Sequence, residues 1–87
     1  MPSVDVTLLV QDECGFCEDA KRILGRLKTE YPLDVRTVDL ATSRGRELAA
    51  DAGVMFAPGI LLDGEPFSYG RPSERKLRKA VARLASS

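Results

Sequence analysis

Histidine and tryptophan are absent from this sequence, and cysteine occurs only twice. A structural zinc site takes four ligands. Two cysteines without histidine supply half of them, so a second copy of the chain or added ligands would have to complete such a site. No bound metal is expected. Excess charge of either sign is also missing: 13 Lys and Arg balance 13 Asp and Glu, for a formal net charge of +0. Nucleic-acid binders usually carry a basic excess, so no nucleic-acid partner is expected. No apolar run approaches the ~18 residues that mark a membrane span, and no membrane partner is expected either. The N-terminus shows no charged segment leading into an apolar stretch and a cleavage site. A cytoplasmic location is the expectation. The 87 residues suffice for one small domain, 1–87, and not for two.

The two cysteines stand three apart, in Cys14-Gly15-Phe16-Cys17. Stabilisation by a disulfide grows with the length of chain it closes, so this pair is a poor staple. In a reducing compartment such a pair is chemical rather than structural. The bland alternative is two inert core cysteines.

Val4, Val6, Leu8, Leu9 and Val10 form an almost continuous apolar run, suited to a central strand covered on both faces. Gln11-Asp12-Glu13 is the turn that leaves it. From about residue 17 to residue 31 the apolar positions are 17, 20, 23, 24, 27 and 31, the spacing of a helix with one inward face. Glu18 and Arg22 are i,i+4 partners on its wet face. Gly25 weakens its middle, and Pro32 ends it.

Residues 33–40 read as a second strand near a sheet edge. Thr42 or Ser43 caps a short helix that turns Leu48, Ala49 and Ala52 inward, with Gly53 at its end. A third strand follows at Ile60-Leu61-Leu62. Asp63-Gly64 signals a two-residue hairpin. The fourth strand, about 65–68, contains Pro66 and is confined to an edge. Tyr69-Gly70-Arg71-Pro72 is a turn. Ser73 then caps a last helix, with Glu74 in its first turn and an apolar stripe at Leu77, Ala80, Val81 and Leu84. Arg75, Lys76, Arg78, Lys79 and Arg83 lie on its other faces. They read as a solvated face, with an anion or partner patch as the alternative.

The resulting order is β-α-β-α-β-β-α. The first two strands are joined through a helix, so they run parallel with a right-handed crossover. The hairpin adds antiparallel strands. The fold class is α/β: a four-stranded mixed sheet with three helices on its two faces.

In this order the chain resembles the thioredoxin superfamily, and within it the small glutaredoxin-like redoxins, from Val4 to about Leu84. Cys14-Gly15-Phe16-Cys17 looks like the active-site C-x-x-C. Ala57-Pro58 looks like the cis-proline site before the third strand, and Gly70-Arg71-Pro72 resembles the turn before the last helix. Phe67-Ser68 with that turn is similar to redoxins that supply electrons to ribonucleotide reductase. Ala57-Pro58-Gly59 with Asp63-Gly64-Glu65 is similar to small archaeal and bacterial thioredoxin-like proteins. There are departures. Glutaredoxins usually place a Lys before the first cysteine, where this chain has Gln11-Asp12-Glu13. Neither the C-P-Y-C of glutaredoxins nor the W-C-G-P-C of thioredoxins is present, and Phe56-Ala57-Pro58 replaces threonine–valine–proline.

The resemblance implies a thioredoxin-like fold and a dithiol–disulfide oxidoreductase that reduces protein disulfides without a bound cofactor. With Cys14 at the N-cap of the first helix and Cys17 at N3, both lie on one face, Cβ atoms about 5–6 Å apart. A local adjustment at Gly15 lets a disulfide, with its mean of ~3.8 Å, close. Cys14 faces the orphan N–H groups and the positive end of the helix dipole, which favour the nucleophilic thiolate. Cys17, one turn in, is the resolving thiol. Asp12, Glu13, Glu18 and Asp19 oppose the thiolate and disfavour anionic glutathione. Phe16, Ala57, Pro58, Tyr69 and Gly70 are the candidate substrate contacts. Phe16 and Tyr69 also read as packing residues. The Ala57 backbone, turned outward by a cis bond at Pro58, would pair with an extended substrate segment. Thioredoxin reductase or glutathione is the expected reductant, and the chain is expected to act as a monomer. Two alternatives stand: a glutathione-dependent glutaredoxin, with glutathione as co-substrate, and an iron–sulfur or metal-binding carrier assembled as a dimer.

Overall fold

The Val- and Leu-rich run forms β1 (Val4–Val10) inside a four-stranded sheet. The structure, a computed structural model, describes residues 3–86. The strand order is β2-β1-β3-β4, with β2 at Leu33–Asp39, β3 at Gly59–Leu62 and β4 at Glu65–Tyr69. β1 and β2 are parallel and in register from Val4 opposite Leu33 to Val10 opposite Asp39. β3 runs antiparallel to β1, with Leu9 opposite Gly59. The expected order of elements, the mixed sheet and the edge positions of β2 and β4 are all observed.

Alternation along β1 divides the core. Val4, Val6 and Leu8 join Ile60 and Leu62 against Ala20, Ile23, Leu24 and Leu27 of α1 (Gly15–Lys28) and Leu77, Val81 and Ala85 of α3 (Glu74–Ala85). On the opposite face Thr7, Val38 and Leu61 meet Leu48 of α2 (Ser43–Ala52) across a cleft. The second face is thus the more thinly covered. Leu48, Ala49 and Ala52, expected to point inward, are only half-buried, and the buried residue of α2 is Gly45. Thr42 is the N-cap, its Oγ1 accepting from the Gly45 N–H at 3.0 Å. Gly53 closes the helix at φ 72°, the left-handed conformation that suits glycine.

α1 departs from expectation at its far end. It stops at Lys28, not near residue 31, because the chain tightens there: the N–H groups of Glu30 and Tyr31 both donate to the Leu27 carbonyl. Tyr31 still packs half-buried against the core, so its place in the apolar pattern does not require helix. The wet-face pairing also differs. Glu18 pairs with Lys21 at 3.1 Å and Asp19 with Arg22, both at i,i+3, instead of Glu18 with Arg22. Gly25 is exposed, and a Cβ there would meet nothing within 4 Å. Gly25→Ala is expected to stabilise the chain by about 1 kcal/mol, read as a raised denaturation midpoint at unchanged slope.

The β3–β4 hairpin turns at Asp63 (φ 49°) and Gly64 (φ 83°), the pair of positive φ values of a type I′ turn. The register slips between Ile60 and Leu61, which face Ser68 and Pro66, and leaves Phe67 as the extra residue. α3 begins after Ser73, whose Oγ accepts from the Lys76 N–H at 3.3 Å. Ion pairs tie it to α1 and to the turn that follows α1. Arg26 reaches Glu74 at 2.5 Å, and Arg78 bridges Glu30 at 2.6 Å and Glu74 at 3.3 Å. The hydrogen bond from Arg26 holds the Glu74 carboxyl below its ordinary range. A depressed carboxyl stabilises the fold above its unfolded pKa, and that contribution fades as pH falls through the folded one. The stability difference between wild type and Glu74→Gln should therefore be small, present near neutrality, and vanish on acidification. Denaturation at stepped pH checks this.

Candidate functional site

Parallel pairing of β1 with β2 and antiparallel pairing with β3 bring three loops to one end of the sheet. The segment that follows Leu9 and the segment that precedes Gly59 emerge together, since those residues are opposite one another. Gly59 also faces Tyr69, the last residue of β4. Cys14, Pro58 and Tyr69, far apart in sequence, thus belong to segments that converge here.

Cys14 is the N-cap of α1 in extended conformation (φ −118°, ψ 103°), and Cys17 is the third helical residue. Their Cα atoms are 5.1 Å apart and a disulfide joins them. The Cys17 N–H donates to Cys14 Sγ at 3.0 Å, so the sulfur takes the place of the usual N-cap oxygen. In the reduced chain the same donor favours a thiolate at Cys14. Cys14 is half-buried and Cys17 is 1% exposed. Glu13 precedes the pair at φ 53°, a left-handed conformation costly for a non-glycine residue. The expected turn at residues 11–13 contains it, but nothing in the sequence pointed to that residue. Asp12 and Glu13 are exposed. Glu18 and Asp19 are paired with Lys21 and Arg22.

The Ala57-Pro58 peptide bond is cis. Pro58 itself is fully buried and Ala57 is nearly so, so neither side chain offers much contact surface. The N–H and C=O of Ala57 make no hydrogen bond among the described residues. Gly70 (φ 82°) donates its N–H to the Pro58 carbonyl at 2.8 Å. The ring of Phe56 lies where a Cβ on residue 70 would be, with its Cε2 2.8 Å from that position. Gly70 therefore shapes the site through its missing side chain. Phe56 meets Tyr69 edge to face, centroids 5.1 Å apart.

Among the described residues the large hydrophobics left exposed are Phe16 (45%), Met55 (76%), Phe56 (55%) and Tyr69 (43%). All four lie on the three converging segments. Reading the sequence missed Met55 and Phe56 as candidates. The available signal was an apolar pair in the loop between Gly53 and Pro58, outside any helix or strand. The structure brings Cys14, Cys17 and Phe16 together at the start of α1, and Ala57, Pro58, Tyr69 and Gly70 together through the Phe56 contacts. No group of three or more Cys, His, Asp or Glu able to hold a metal occurs among the described residues. Cys14 and Cys17, when reduced, are the two thiols the chain could offer one.

Comparison with known proteins agrees with this geometry. The family model for glutaredoxin matches residues 6–67. A protein of Mycobacterium tuberculosis, described as uncharacterized, is 36% identical over 86 residues, covering 95% of this chain and 88% of the relative. A thioredoxin of Methanocaldococcus jannaschii is 26% identical over 81 residues, covering 93% and 95% of the two chains. The solved structure of a mutant thioredoxin from Halobacterium salinarum superposes with a TM-score of 0.75 at 23% identity, covering 95% of this chain and 75% of that one. That likeness is one of fold, and the fold is the thioredoxin fold.

Proposed function

We propose a function from one premise: the chain belongs to the glutaredoxin family, and at the general level is a thiol–disulfide oxidoreductase. The finer reading is a reductase of protein disulfides. The observation that carries it is that the large hydrophobics left exposed among the described residues, Phe16, Met55, Phe56 and Tyr69, all lie on the segments that converge with the cysteines at one end of the sheet, with Phe56 and Tyr69 in contact. Exposed apolar side chains gathered in one place mark a surface that meets another protein. The unpaired Ala57 backbone beside them adds a place for an extended segment of that protein to hydrogen-bond.

In this reading the Cys14 thiolate attacks one sulfur of the substrate disulfide. A mixed disulfide forms, and the other substrate sulfur leaves as a thiolate that takes up a proton. Cys17 loses its proton and attacks Cys14 Sγ. The mixed bond breaks, the second substrate thiol departs, and the Cys14–Cys17 disulfide remains. Two electrons and two protons have passed to the substrate. The half-buried position of Cys14 and the burial of Cys17 favour this order. A dithiol reductant or a thioredoxin reductase then restores the pair.

A second reading, glutathione-dependent turnover, is favoured by the family match itself. Against it stand the exposed Asp12 and Glu13 before Cys14, which repel an anionic co-substrate. We take the chain to be a monomer working in the cytoplasm, where a labile four-residue disulfide ring is kept reducible. Insulin reduction driven by NADPH and thioredoxin reductase, run beside the same assay driven by glutathione, tests the choice. The first is expected to turn over faster. Faster turnover with glutathione would overturn the finer reading and leave the family assignment standing.

A further inference from the structure

Four of the five basic residues of α3 are placed by an ion pair or by a groove. Arg78 is committed to Glu30 and Glu74. Lys76, Lys79 and Arg83 instead line a groove of about 530 Å³ between α3 and β4. Arg71, from the turn before α3, joins them, and Phe67, Ser68 and Tyr69 form the β4 wall. No acidic residue lines the groove, and Arg71, Lys76 and Lys79 make no ion pair among the described residues. Glu74, the nearest acid in sequence to this set, is held by Arg26 and Arg78.

We infer that this groove is a docking site for an acidic, Asp- and Glu-rich segment of a partner protein. Several like charges along one low-dielectric wall make a field that steers an oppositely charged segment toward it. The volume lies within the range of about 300–1,000 Å³ common for ligand sites, but small-molecule pockets are lined mostly by apolar groups. Here most of the lining side chains are charged or hydroxylic, which suits a solvated peptide better. The groove also has a direction. Tyr69 belongs both to its wall and to the apolar patch at the cysteine end of the sheet, so a protein seated at the patch has the groove alongside. Addition of a strand to β4 is the less suitable mode, although β4 is an edge. Pro66 cannot donate, and the extra residue at Phe67 breaks the regular ladder. Recognition therefore runs through side-chain charge.

The inference deepens the reading of the chain as a protein disulfide reductase, but its test needs no disulfide exchange. Isotope-labelled chain is titrated with a ten-residue poly-glutamate peptide, and with poly-lysine and inorganic phosphate as controls, while backbone amide shifts are followed. The expected result is saturable shifts at Phe67, Ser68, Tyr69 and the first turns of α3, weakening as salt rises. The double variant K76E/K79E, shown by its amide spectrum to be folded, should weaken binding by about tenfold or more, because like charges now face one another. Shifts spread over the α2 arginines Arg44 and Arg46 as well, binding unchanged in the double variant, or phosphate reproducing the same saturable shifts would each overturn the assignment. Phosphate doing so would make the groove a small-anion site. Failure in the insulin assay with intact peptide binding would instead count against the redox reading alone.

Discussion

Cys14→Ser is expected to reduce disulfide-reductase activity to background while leaving the fold in place. A serine hydroxyl is not ionised near neutrality and does not attack a disulfide; the thiolate is the nucleophile. Cys17 cannot substitute, because it is 1% exposed, within the first turn of α1. The substitution is mild for the structure. Cys14 is an N-cap whose sulfur accepts from the Cys17 N–H, and serine is among the preferred N-cap residues for that same bond. The lost disulfide closes a ring with a sequence separation of 3, so its removal changes chain entropy little. Lost activity at unchanged melting temperature is the expected pair of results. Cys17→Ser has a different signature. Attack at Cys14 proceeds but resolution does not, so a mixed disulfide with the substrate accumulates. Non-reducing electrophoresis after incubation with an oxidised protein reads it. A Cys14→Ser variant that retains turnover would contradict the division of labour.

Gly45→Ala is expected to destabilise the chain by about 2 kcal/mol or more, a fall in Tm on the order of 10 °C for a domain of this size. Helix propensity alone argues the other way, since alanine is better than glycine inside a helix by roughly 1 kcal/mol. The environment decides. A Cβ on Gly45 would sit 2.8 Å from the Asp39 carbonyl carbon and 2.9 Å from Leu40 Cα, and closer still to the Asp39 carbonyl oxygen. These are backbone atoms at the end of β2, where the Thr42 N–H donates to the same Asp39 carbonyl. They cannot swing aside as a long side chain would, so α2 must lift from the sheet. Gly25→Ala is the control, with the same change of side chain, the same gain in propensity and open space at the new methyl. Thermal denaturation of the two variants should move in opposite directions.

That contrast marks what could be read from the sequence. The strands, the cap at Ser73, the hairpin at Asp63-Gly64 and the placing of Cys14 and Cys17 at the start of α1 follow from local patterns, whereas the local pattern leaves the cap of α2 open between Thr42 and Ser43, and the Thr42 side chain, accepting from the Gly45 N–H, decides it. The end of α1 misleads because Tyr31 continues the apolar spacing after the helix has tightened and turned away. α2 has no strong apolar stripe. It docks through the bare backbone of Gly45, and only the three-dimensional position of Asp39 shows why. The same holds at the site. The C-x-x-C and its proline are visible in one dimension, but the gathering of Met55, Phe56 and Tyr69 beside them depends on β3 being level with the end of β1. The basic residues of α3 cannot be sorted without seeing that Glu30 and Glu74 take Arg78 and leave Lys76 and Lys79 to the groove.

Whether Cys14 attacks and Cys17 resolves is read most directly by timed alkylation of the fully reduced chain. The peptide carrying both cysteines is fragmented in the mass spectrometer to place the label. Cys14 should be modified well ahead of Cys17, as its half-buried sulfur with an N–H donor requires. Labelling of Cys17 first, or of both at one rate, would contradict the mechanism.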